Sequence, residues 1–394
     1  MEWISETQNI PILEQYDVIV LGGGVAGCAA AVAAARAGSS VLLLEKMTVL
    51  GGLATAGHVV YYLPLCDGCG NKMAAGLAEE LLQLSISHGA NDLPKEWRGG
   101  PLHTATSRRY ATTFLAGNFA FELERLICAE KVDFLYDTLF CAPIMEQNRC
   151  AGVLVENKSG RQAYLAKAFV DATGDGDLMF RAGASMEEQQ NYLTYWSYCV
   201  ERQKERRLHI YPIGNCDGGG LPDWSGRYSG VSAQEVTRFL KDSHRLAYEQ
   251  LIVGQEENLE MASFPSMAQF RTTRRLRGSY TLTSADEGRS FSDSVGAIGD
   301  WRAPGKIYQI PYRTLYCSQL ENVFSAGRNI SAQGDAWEVT RVIPTAAVTG
   351  QAAGAAASLC VQYSCSASRL ETTRLQALLT AQGALLSPEV HWLR

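Results

Sequence analysis

Residues 16–46 read YDVIVLGGGVAGCAAAVAAARAGSSVLLLEK, and this stretch decides the fold of the chain. Val18–Leu21 is a short apolar run rich in β-branched residues, which is typical of a strand buried on both faces. The alanine-rich stretch Val25–Ala37 predicts a helix that ends at Gly38. Val41–Leu44 predicts a second buried strand. A strand, a helix and a strand in close succession form a βαβ unit, so the sequence predicts an α/β fold.

Three glycines join the first strand to the helix in the order G-x-G-x-x-G. Gly22 permits a tight turn, Gly24 lets a pyrophosphate approach the backbone, and Gly27 lets the helix lie close to the strand. A bound anion would meet the free N–H groups of the helix N-terminus. Glu45, eighteen residues after Gly27, is placed to accept hydrogen bonds from an adenosine ribose. The unit therefore predicts a dinucleotide site, and the carboxylate disfavours the 2′-phosphate of NADP.

The composition is that of a folded protein that does not bind nucleic acid. Hydrophobic residues make up 46% and charged residues 19% of 394 residues, a length that predicts two domains. The net charge of −6 argues against a nucleic-acid partner, which needs a basic surface. The N-terminus lacks a signal-peptide pattern and the eleven cysteines are typical of reduced thiols, so we expect a cytoplasmic protein. The long uncharged stretches are rich in Gly, Ala, Ser and Thr, so no membrane span is predicted.

Further blocks of the chain resemble a known class of flavoprotein. Residues 45–55 read EKMTVLGGLAT, residues 168–184 read AFVDATGDGDLMFRAGA, and residues 324–344 read FSAGRNISAQGDAWEVTRVIP. Together with FRTTRRLRGSYTLTSAD at residues 270–286, their order resembles the bacterial FAD-dependent oxidoreductase family. That family has the glutathione-reductase-like FAD fold and is related to fumarate reductase flavoproteins. The resemblance implies a three-layer, Rossmann-like FAD-binding domain with an inserted α+β substrate or cap domain.

The resemblance also implies which residues hold the cofactor. FAD is extended, so its adenosine, pyrophosphate and flavin parts need contacts from distant segments. The backbone near Leu139 and Phe140 is expected beside the adenine, and the helix that begins near Pro344 is expected to direct its N-terminus at the flavin. The predicted cofactor-binding residues are Gly22, Gly24, Val25, Ala26, Gly27, Glu45, Lys46, Gly51, Gly52, Leu53, Ala54, Thr55, Leu139, Phe140, Thr173, Gly174, Asp175, Gly327, Arg328, Arg341, Val342 and Ile343.

The chain departs from the pattern of this class in two places. Gly327-Arg328 replaces the Gly-Asp pair that is common near the C-terminal flavin strand. No histidine lies between Glu45 and Gly51, where succinate dehydrogenase relatives attach flavin covalently. We therefore expect noncovalent FAD.

The domains are expected to be interleaved along the chain. The predicted FAD-binding domain comprises residues 16–56, 110–185 and 315–365. A helical insertion is predicted at 57–109, a substrate or cap domain at 186–314, and a C-terminal helical tail at 366–394.

An arginine cluster is the main candidate for substrate binding. The segment FRTTRRLRG places four arginines within residues 271–277, and a guanidinium binds a carboxylate bidentately without losing its charge. We predict that Arg274 and Arg275 bind and act on the substrate. The alternative is that these arginines tie the two domains together through carboxylates such as Asp286 or Glu287.

Other candidates for chemistry are single residues or pairs. His58 follows the Gly51-Gly52 turn and is a candidate catalytic base. Cys66 and Cys69 form a C-x-x-C pair, which cannot complete a zinc or iron–sulfur site alone, so no metal is predicted. A redox role beside the flavin and a loop structure both remain open for this pair.

These patterns favour an FAD-dependent oxidoreductase that transfers a hydride between flavin N5 and a small anionic organic molecule, such as a carboxylate. Two alternatives remain open, an NAD-dependent dehydrogenase and a flavin-binding protein without turnover. The sequence leaves open whether the chain forms a homo-oligomer.

Overall fold

The computed structural model describes residues 2–69, 71–88, 110–201, 208–254 and 258–387. Its strands are β1 Ile12–Leu21, β2 Val41–Leu44, β3 Tyr61–Tyr62, β4 Thr112–Thr113, β5 Asp133–Leu135, β6 Leu139–Glu146, β7 Arg149–Asn157, β8 Gly160–Asp171, β9 Met186–Glu188, β10 Thr194–Glu201, β11 Leu208–Gly214, β12 Leu259–Ser263, β13 Arg274–Leu276, β14 Ser294–Gly299, β15 Ile307–Pro311 and β16 Val323–Ser325. Its α-helices are α1 Val25–Arg36, α2 Leu77–Ile86, α3 Ala116–Ala129, α4 Asp177–Arg181, α5 Ala233–Ala247, α6 Asp335–Thr340, α7 Ile343–Gln362 and α8 Thr372–Ala381.

A seven-stranded sheet forms the main body of the protein, with strand order β5-β2-β1-β8-β7-β6 and with β16 also paired to β8. Strands β5, β2, β1, β8 and β16 run parallel, whereas β6, β7 and β8 form an antiparallel meander. The long strand β8 pairs with β7 along its first part and with β16 along its last residues. The predicted α/β, Rossmann-like fold class is confirmed.

The alternating side chains of β1 explain the three layers. Val18 and Val20 pack into the cluster formed with the alanine-rich helices α1 and α7. Ile19 and Leu21 belong to a second cluster on the opposite face, with side chains from the meander and α4. Because successive side chains of a strand point to opposite faces, an apolar run buried on both sides lies between two layers. The helices and the meander are those layers.

Helices α1 and α7 cross in close contact because their glycines allow it. A Cβ added to Gly350 would lie 2.2 Å from the carbonyl oxygen of Ala26, and one added to Gly354 would lie 2.0 Å from that of Ala30. Both distances are far below van der Waals contact, so only glycine permits this approach. The predicted alanine-rich helices are thus packed core elements. Among the helices of the described ranges, none is long and apolar enough to cross a membrane.

Three strands outside the large sheet form a smaller sheet of their own. Strands β10, β11 and β12 make an antiparallel sheet, and α5 packs on it around its own apolar cluster. Two further antiparallel pairs are β9–β13 and β14–β15. Within the predicted helical insertion at 57–109, the described part contains α2, and residues 89–109 lie outside the described residues. The C-terminal tail contains α8, and residues 388–394 also lie outside them.

Candidate functional site

A cavity opens at the carboxyl ends of the parallel strands β1, β2, β8 and β16, with about 1150 Å³ of free space including its mouth. This edge is where open α/β sheets bind their ligands. All of the predicted cofactor residues line the cavity except Gly27, Thr55, Asp175 and Val342. Residues that the sequence analysis did not single out also line it: Leu21, Leu44, Thr138, Ala172, Asp177, Arg181, Met267, Ala326 and Ala346. Most of these are sequence neighbours of predicted residues, but Met267 comes from a segment that carried no such signal.

In the first glycine turn, the fold requires two of the glycines, whereas the third borders the open space of the cavity. Gly22 has φ +93°, and a Cβ on Gly27 would lie 1.7 Å from the carbonyl oxygen of Gly22, so the fold requires glycine at both positions. Gly24 is different, because its φ is −66° and the nearest atom to an added Cβ is the Gly52 Cα at 3.9 Å. Neither backbone conformation nor packing explains this glycine. The open space beside it fits a phosphate group that approaches the backbone at the N-terminus of α1.

The second glycine turn lies directly against the first. Gly51 has φ +102°, and its N–H donates to the carbonyl oxygen of Gly23 at 2.7 Å. A Cβ on Gly52 would lie 3.0 Å from the Gly24 Cα. The two turns therefore form one wall of the cavity in which backbone groups, not side chains, face the free space.

Glu45 is held rigidly at the end of β2. Its side chain is 5% exposed, its Oε2 accepts from the Gly23 N–H at 2.5 Å, and its Oε1 accepts from the Met47 N–H at 2.7 Å. Burial raises the pKa of Glu45, and the hydrogen bonds from Met47 and Gly23 oppose that shift. Each carboxylate oxygen has a second lone pair, so Glu45 can still accept from two hydroxyls of a ribose.

The far side of the cavity near β6 carries aromatic and charged groups. Leu139 and Phe140 line it, as predicted for an adenine contact. The Arg181 guanidinium lies 5.5 Å from the centre of the Phe140 ring and donates to the carbonyl oxygen of Cys141. Thr138, which adjoins this segment, lines the same wall. An aromatic ring and a guanidinium thus lie together at the amino end of β6, and both types of group can stack on a base.

At the opposite end, the N-terminus of α7 opens onto the cavity. Ile343 and Ala346 line it, and the helix begins with Pro344 in its first turn. Arg341, just before the helix, also lines the cavity and donates to Oε2 of Glu338 from Nε at 2.9 Å and from a terminal nitrogen at 2.5 Å. Burial lowers the pKa of Arg341, Glu338 opposes that shift, and the nearby Arg271 adds to it. This end of the cavity is therefore electropositive.

Arg328 lines the cavity, but its guanidinium donates to other parts of the protein. Nε donates to the Gly174 carbonyl oxygen at 2.7 Å, and one terminal nitrogen donates to the Phe270 carbonyl oxygen at 2.7 Å. The other terminal nitrogen pairs with Asp175, whose carboxylate also accepts from the Thr273 hydroxyl at 2.6 Å. The predicted cofactor residues Arg328 and Asp175 thus form an ion pair that joins the sheet edge to residues 270–273.

The two arginines predicted to bind substrate are buried and paired. Arg274 donates to Oδ1 of Asp177 at 2.7 Å, and its guanidinium lies 4.3 Å from the Phe180 ring centre. Arg275 pairs with Glu187 and also donates to Gln333 at 3.0 Å. Neither residue lines the cavity. These contacts match the alternative prediction that the arginines form ion pairs with other parts of the chain. The carboxylates are different from the two suggested, because Asp286 pairs with Arg289 and Glu287 pairs with Lys306.

His58, the predicted base, is 8% exposed and follows the second glycine turn in the chain. Its φ of +54° is unusual for a residue with a side chain. Its ring centre lies 4.7 Å from that of Tyr198, and its Nδ1 has no hydrogen-bond partner among the described residues. Burial lowers the pKa of His58, so the imidazole is neutral near pH 7. A neutral ring with an open nitrogen can accept a proton, but His58 does not line the cavity itself.

The C-x-x-C pair lies in the loop between β3 and α2. Cys66 is buried and Cys69 is exposed, and Oδ1 of Asp67 accepts from the N–H of Cys69 at 2.8 Å and of Asn71 at 3.0 Å. These contacts are those of a structured loop. In the described ranges, no group of three or more His, Cys, Asp or Glu side chains is placed to hold a metal ion.

The comparisons with known proteins cover both sequence and structure. The family model for FAD dependent oxidoreductase matches residues 17–195 and 223–379. A thioredoxin reductase of Ureaplasma parvum is 38% identical over 74 residues, which are 19% of this chain and 24% of that protein. A urocanate reductase of Eggerthella lenta is 43% identical over 56 residues, 13% of this chain and 9% of that protein. The chain thus spans about a quarter or less of the length of the curated relatives that it matches.

Solved structures of low sequence identity are also similar. One is a geranylgeranyl bacteriochlorophyll reductase-like protein from Thermoplasma acidophilum, with a TM-score of 0.46, 14% identity, and coverage of 94% of this chain and 84% of that one. Another is the open conformation of a flavocytochrome c3 fumarate reductase, with a TM-score of 0.41, 12% identity, and coverage of 89% of this chain and 79% of that one.

The family match spans most of the chain and includes both the glycine turns and α7. It confirms the predicted cofactor FAD in place of the nicotinamide cofactor of the alternative NAD-dependent dehydrogenase. The cavity fits that cofactor, because its lining combines the two glycine turns, the buried acid Glu45 and the β6 residues Leu139 and Phe140. The chain belongs to the FAD dependent oxidoreductase family.

Proposed function

We propose that this enzyme transfers a hydride between FAD and a small anionic organic substrate, such as a carboxylate. The observation that carries the proposal is the electropositive end of the cavity, where Arg341 and the N-terminus of α7 meet. A cation and a helix N-terminus both favour a bound anion. The location of the enzyme in the cell stays a prediction.

The residues of the chain would divide the tasks of binding. Glu45 accepts hydrogen bonds from the ribose, and the backbone at Gly24 and Gly52 accommodates the pyrophosphate. Bound FAD supplies a hydride acceptor or donor at flavin N5. Arg341 attracts and orients the substrate anion without changing its own protonation state. His58 is neutral, but its Nδ1 is buried and the residue does not line the cavity, so its role as the base stays a prediction.

The prediction that Arg274 and Arg275 act on the substrate loses support from their contacts. Both guanidiniums are paired with carboxylates outside the cavity lining. Arg341, which we predicted as a cofactor-binding residue, pairs with Glu338 but lines the cavity. Our proposal therefore keeps the anionic substrate and assigns its binding to a different arginine.

An anaerobic screen tests the proposal. The FAD-loaded enzyme is mixed with a panel of organic acids and with the matching amides, and the flavin absorbance is followed in both the oxidised and the reduced enzyme. We expect one or more acids to change the redox state of the flavin and the matching amides to react far more slowly. Equal reaction of acids and amides would contradict the anionic substrate. A flavin that no member of the panel oxidises or reduces would contradict the proposal as a whole.

A further inference from the structure

Helix α7 ends in a compact turn that carries two cysteines. The N–H of Cys365 donates to the carbonyl oxygen of Cys360 at 3.1 Å, and the N–H of Ser364 donates to that of Val361 at 3.3 Å. Ser364 has a φ of +49°, which is the left-handed conformation. These two bonds around a left-handed residue form a Schellman motif, in which the residue after the left-handed one often contacts a side chain in the last turn of the helix.

In this motif the contact is made by two thiols. The sulfur atoms of Cys360 and Cys365 lie 3.9 Å apart. A disulfide needs a separation of about 2.05 Å and two side chains that point toward each other. Because the backbones of the two residues are already joined by a hydrogen bond, only rotation of the two side chains is needed to close the remaining gap.

The chain that follows the pair is anchored, so the two thiols stay side by side. The N–H of Ala367 donates to the carbonyl oxygen of Glu321 at 2.7 Å, and the carbonyl oxygen of Ala367 accepts from the Tyr312 hydroxyl at 2.8 Å. Ala367 and Tyr312 both belong to the buried cluster that contains α1 and α7. Two thiols that the fold holds in contact lose less chain entropy on forming a disulfide than the same two thiols in an unfolded chain.

The two thiols differ in their access to solvent. Cys365 is half-buried, whereas Cys360 is only 4% exposed. Burial raises the pKa of Cys360, and the neighbouring Cys365 adds to that shift. Because a thiol reacts as its thiolate, Cys365 is the first of the two to meet a dissolved oxidant. Cys360 is then the thiol in contact with the oxidised sulfur.

We infer that Cys360 and Cys365 form a thiol-oxidation site, at which hydrogen peroxide converts the pair into a reversible disulfide. The inference goes beyond the proposed function and does not depend on it. In the first step the Cys365 thiolate attacks peroxide, an S–O bond forms, the O–O bond breaks, and the hydroxide that leaves is protonated to water. In the second step the Cys360 sulfur attacks the Cys365 sulfenic acid, the S–S bond forms, the S–O bond breaks, and a second water leaves. The two sulfurs together lose two electrons, and peroxide gains them.

The alternative is that the two thiols only fill the apolar contact of the motif. The two interpretations differ in the fate of an oxidised Cys365. With a second thiol in contact, the sulfenic acid is trapped as a disulfide, which a dithiol reduces. Without one, oxidation continues to the sulfinic and sulfonic acids, which a dithiol does not reduce.

The experiment treats the FAD-loaded wild type, Cys360→Ser and Cys128→Ser with a small excess of hydrogen peroxide. Cys128→Ser is the matched control, because Cys128 is an exposed thiol on α3, outside the motif. The free thiols are then blocked under denaturing conditions, and mass spectrometry of the tryptic peptide 342–369, which contains both cysteines, records its oxidation state before and after dithiothreitol. The equilibrium of the pair with glutathione is also measured, in the folded wild type and in the wild type unfolded in urea.

We expect the wild type and Cys128→Ser to form the disulfide and dithiothreitol to reverse it. Glutathione should favour the disulfide about tenfold more in the folded than in the unfolded chain. In Cys360→Ser, Cys365 should instead gain oxygen atoms that dithiothreitol does not remove. A folded wild type whose two thiols resist peroxide, or whose Cys365 is oxidised without forming the link, would overturn the inference. An equilibrium that favours the disulfide no more in the folded than in the unfolded chain would also overturn it, and these wild-type measurements decide the matter even if Cys360→Ser fails to fold.

Discussion

Replacing Gly24 with alanine separates what the fold requires from what the cofactor requires. In the FAD-free protein, the new Cβ would have the Gly52 Cα at 3.9 Å as its nearest neighbour, and the φ of −66° suits any residue. The change restricts the unfolded chain, which stabilises the native state by about 0.4–1 kcal/mol. Alanine is a poorer residue than glycine at a helix N-cap by about the same amount. The free energy of unfolding of the FAD-free protein should therefore change by less than about 1 kcal/mol.

The affinity for FAD should fall in the same variant. The added methyl group enters the space where a phosphate oxygen would approach the backbone of α1. Loss of one hydrogen bond to a charged oxygen costs about 1.5–3 kcal/mol, which raises the dissociation constant roughly tenfold to a hundredfold. Urea unfolding of the FAD-free protein and titration with FAD measure the two quantities on one preparation.

Gly27→Ala is the matched control for this experiment. Its Cβ would lie 1.7 Å from the carbonyl oxygen of Gly22, so this variant should fail to reach the native fold with or without FAD. If Gly24→Ala folds normally and binds FAD as tightly as the wild type, the pyrophosphate does not approach the backbone there and our reasoning is refuted. If Gly24→Ala is unstable without FAD, the fold itself requires this glycine.

Four other predictions test the site. Heat or acid should release all of the flavin as free FAD, and flavin that stays in the precipitated protein would show a covalent link. In Glu45→Gln, one of the two backbone N–H groups that donate to Glu45 would face an amide N–H instead of an oxygen. FAD affinity should therefore fall roughly tenfold to a hundredfold. An unchanged dissociation constant would mean that the ribose lies elsewhere. Because burial lowers the pKa of His58 in the native state, the unfolded chain binds that proton more readily, and stability should decrease as pH falls below the usual histidine pKa of about 6.5. Urea midpoints measured from about pH 7.5 down to about pH 5.5 should decrease less steeply in His58→Gln than in the wild type. Identical slopes would contradict this assignment. Breaking a fully buried ion pair lowers the free energy of unfolding by roughly 3–5 kcal/mol. Arg274→Met should lower it by less, because the side chain of its partner Asp177 is 31% exposed. Acid binding by the folded enzyme should stay normal.

The parts of the fold that depend on local sequence could be predicted closely. Helix α1 begins at Val25 as predicted and ends at Arg36, within one residue of the expected end. Strand β2 has the predicted bounds Val41–Leu44. The runs Val18–Leu21 and Val41–Leu44 are each apolar throughout, and their short length favours buried strands. Polar residues at 147–148 and 158–159 separate β6, β7 and β8, which is the usual composition of short turns between strands.

Strand β1 shows where local pattern becomes insufficient. It begins at Ile12, six residues before the apolar run that predicted it. Ile12 and Gln15 pair with β8 on one side only, and their side chains are exposed. An exposed strand end with one neighbour has no requirement for apolar residues, so its sequence resembles that of a loop. Its structure is decided by a strand that lies about 150 residues later in the chain.

The arginine segment shows why the predicted cofactor residues were easier to place than the substrate residues. The geometry of a glycine turn is determined by the local sequence, because the turn and the helix that follows it are adjacent in the chain. An arginine provides only a positive charge on a long side chain, so its role depends on which carboxylates surround it. Arg274 and Arg275 meet Asp177 and Glu187, which lie almost a hundred residues earlier in the chain, whereas Arg271 has no such partner in the described ranges. Similar side chains in one segment therefore meet different partners, and the chain topology, not the composition of the segment, decides which carboxylate each of them contacts.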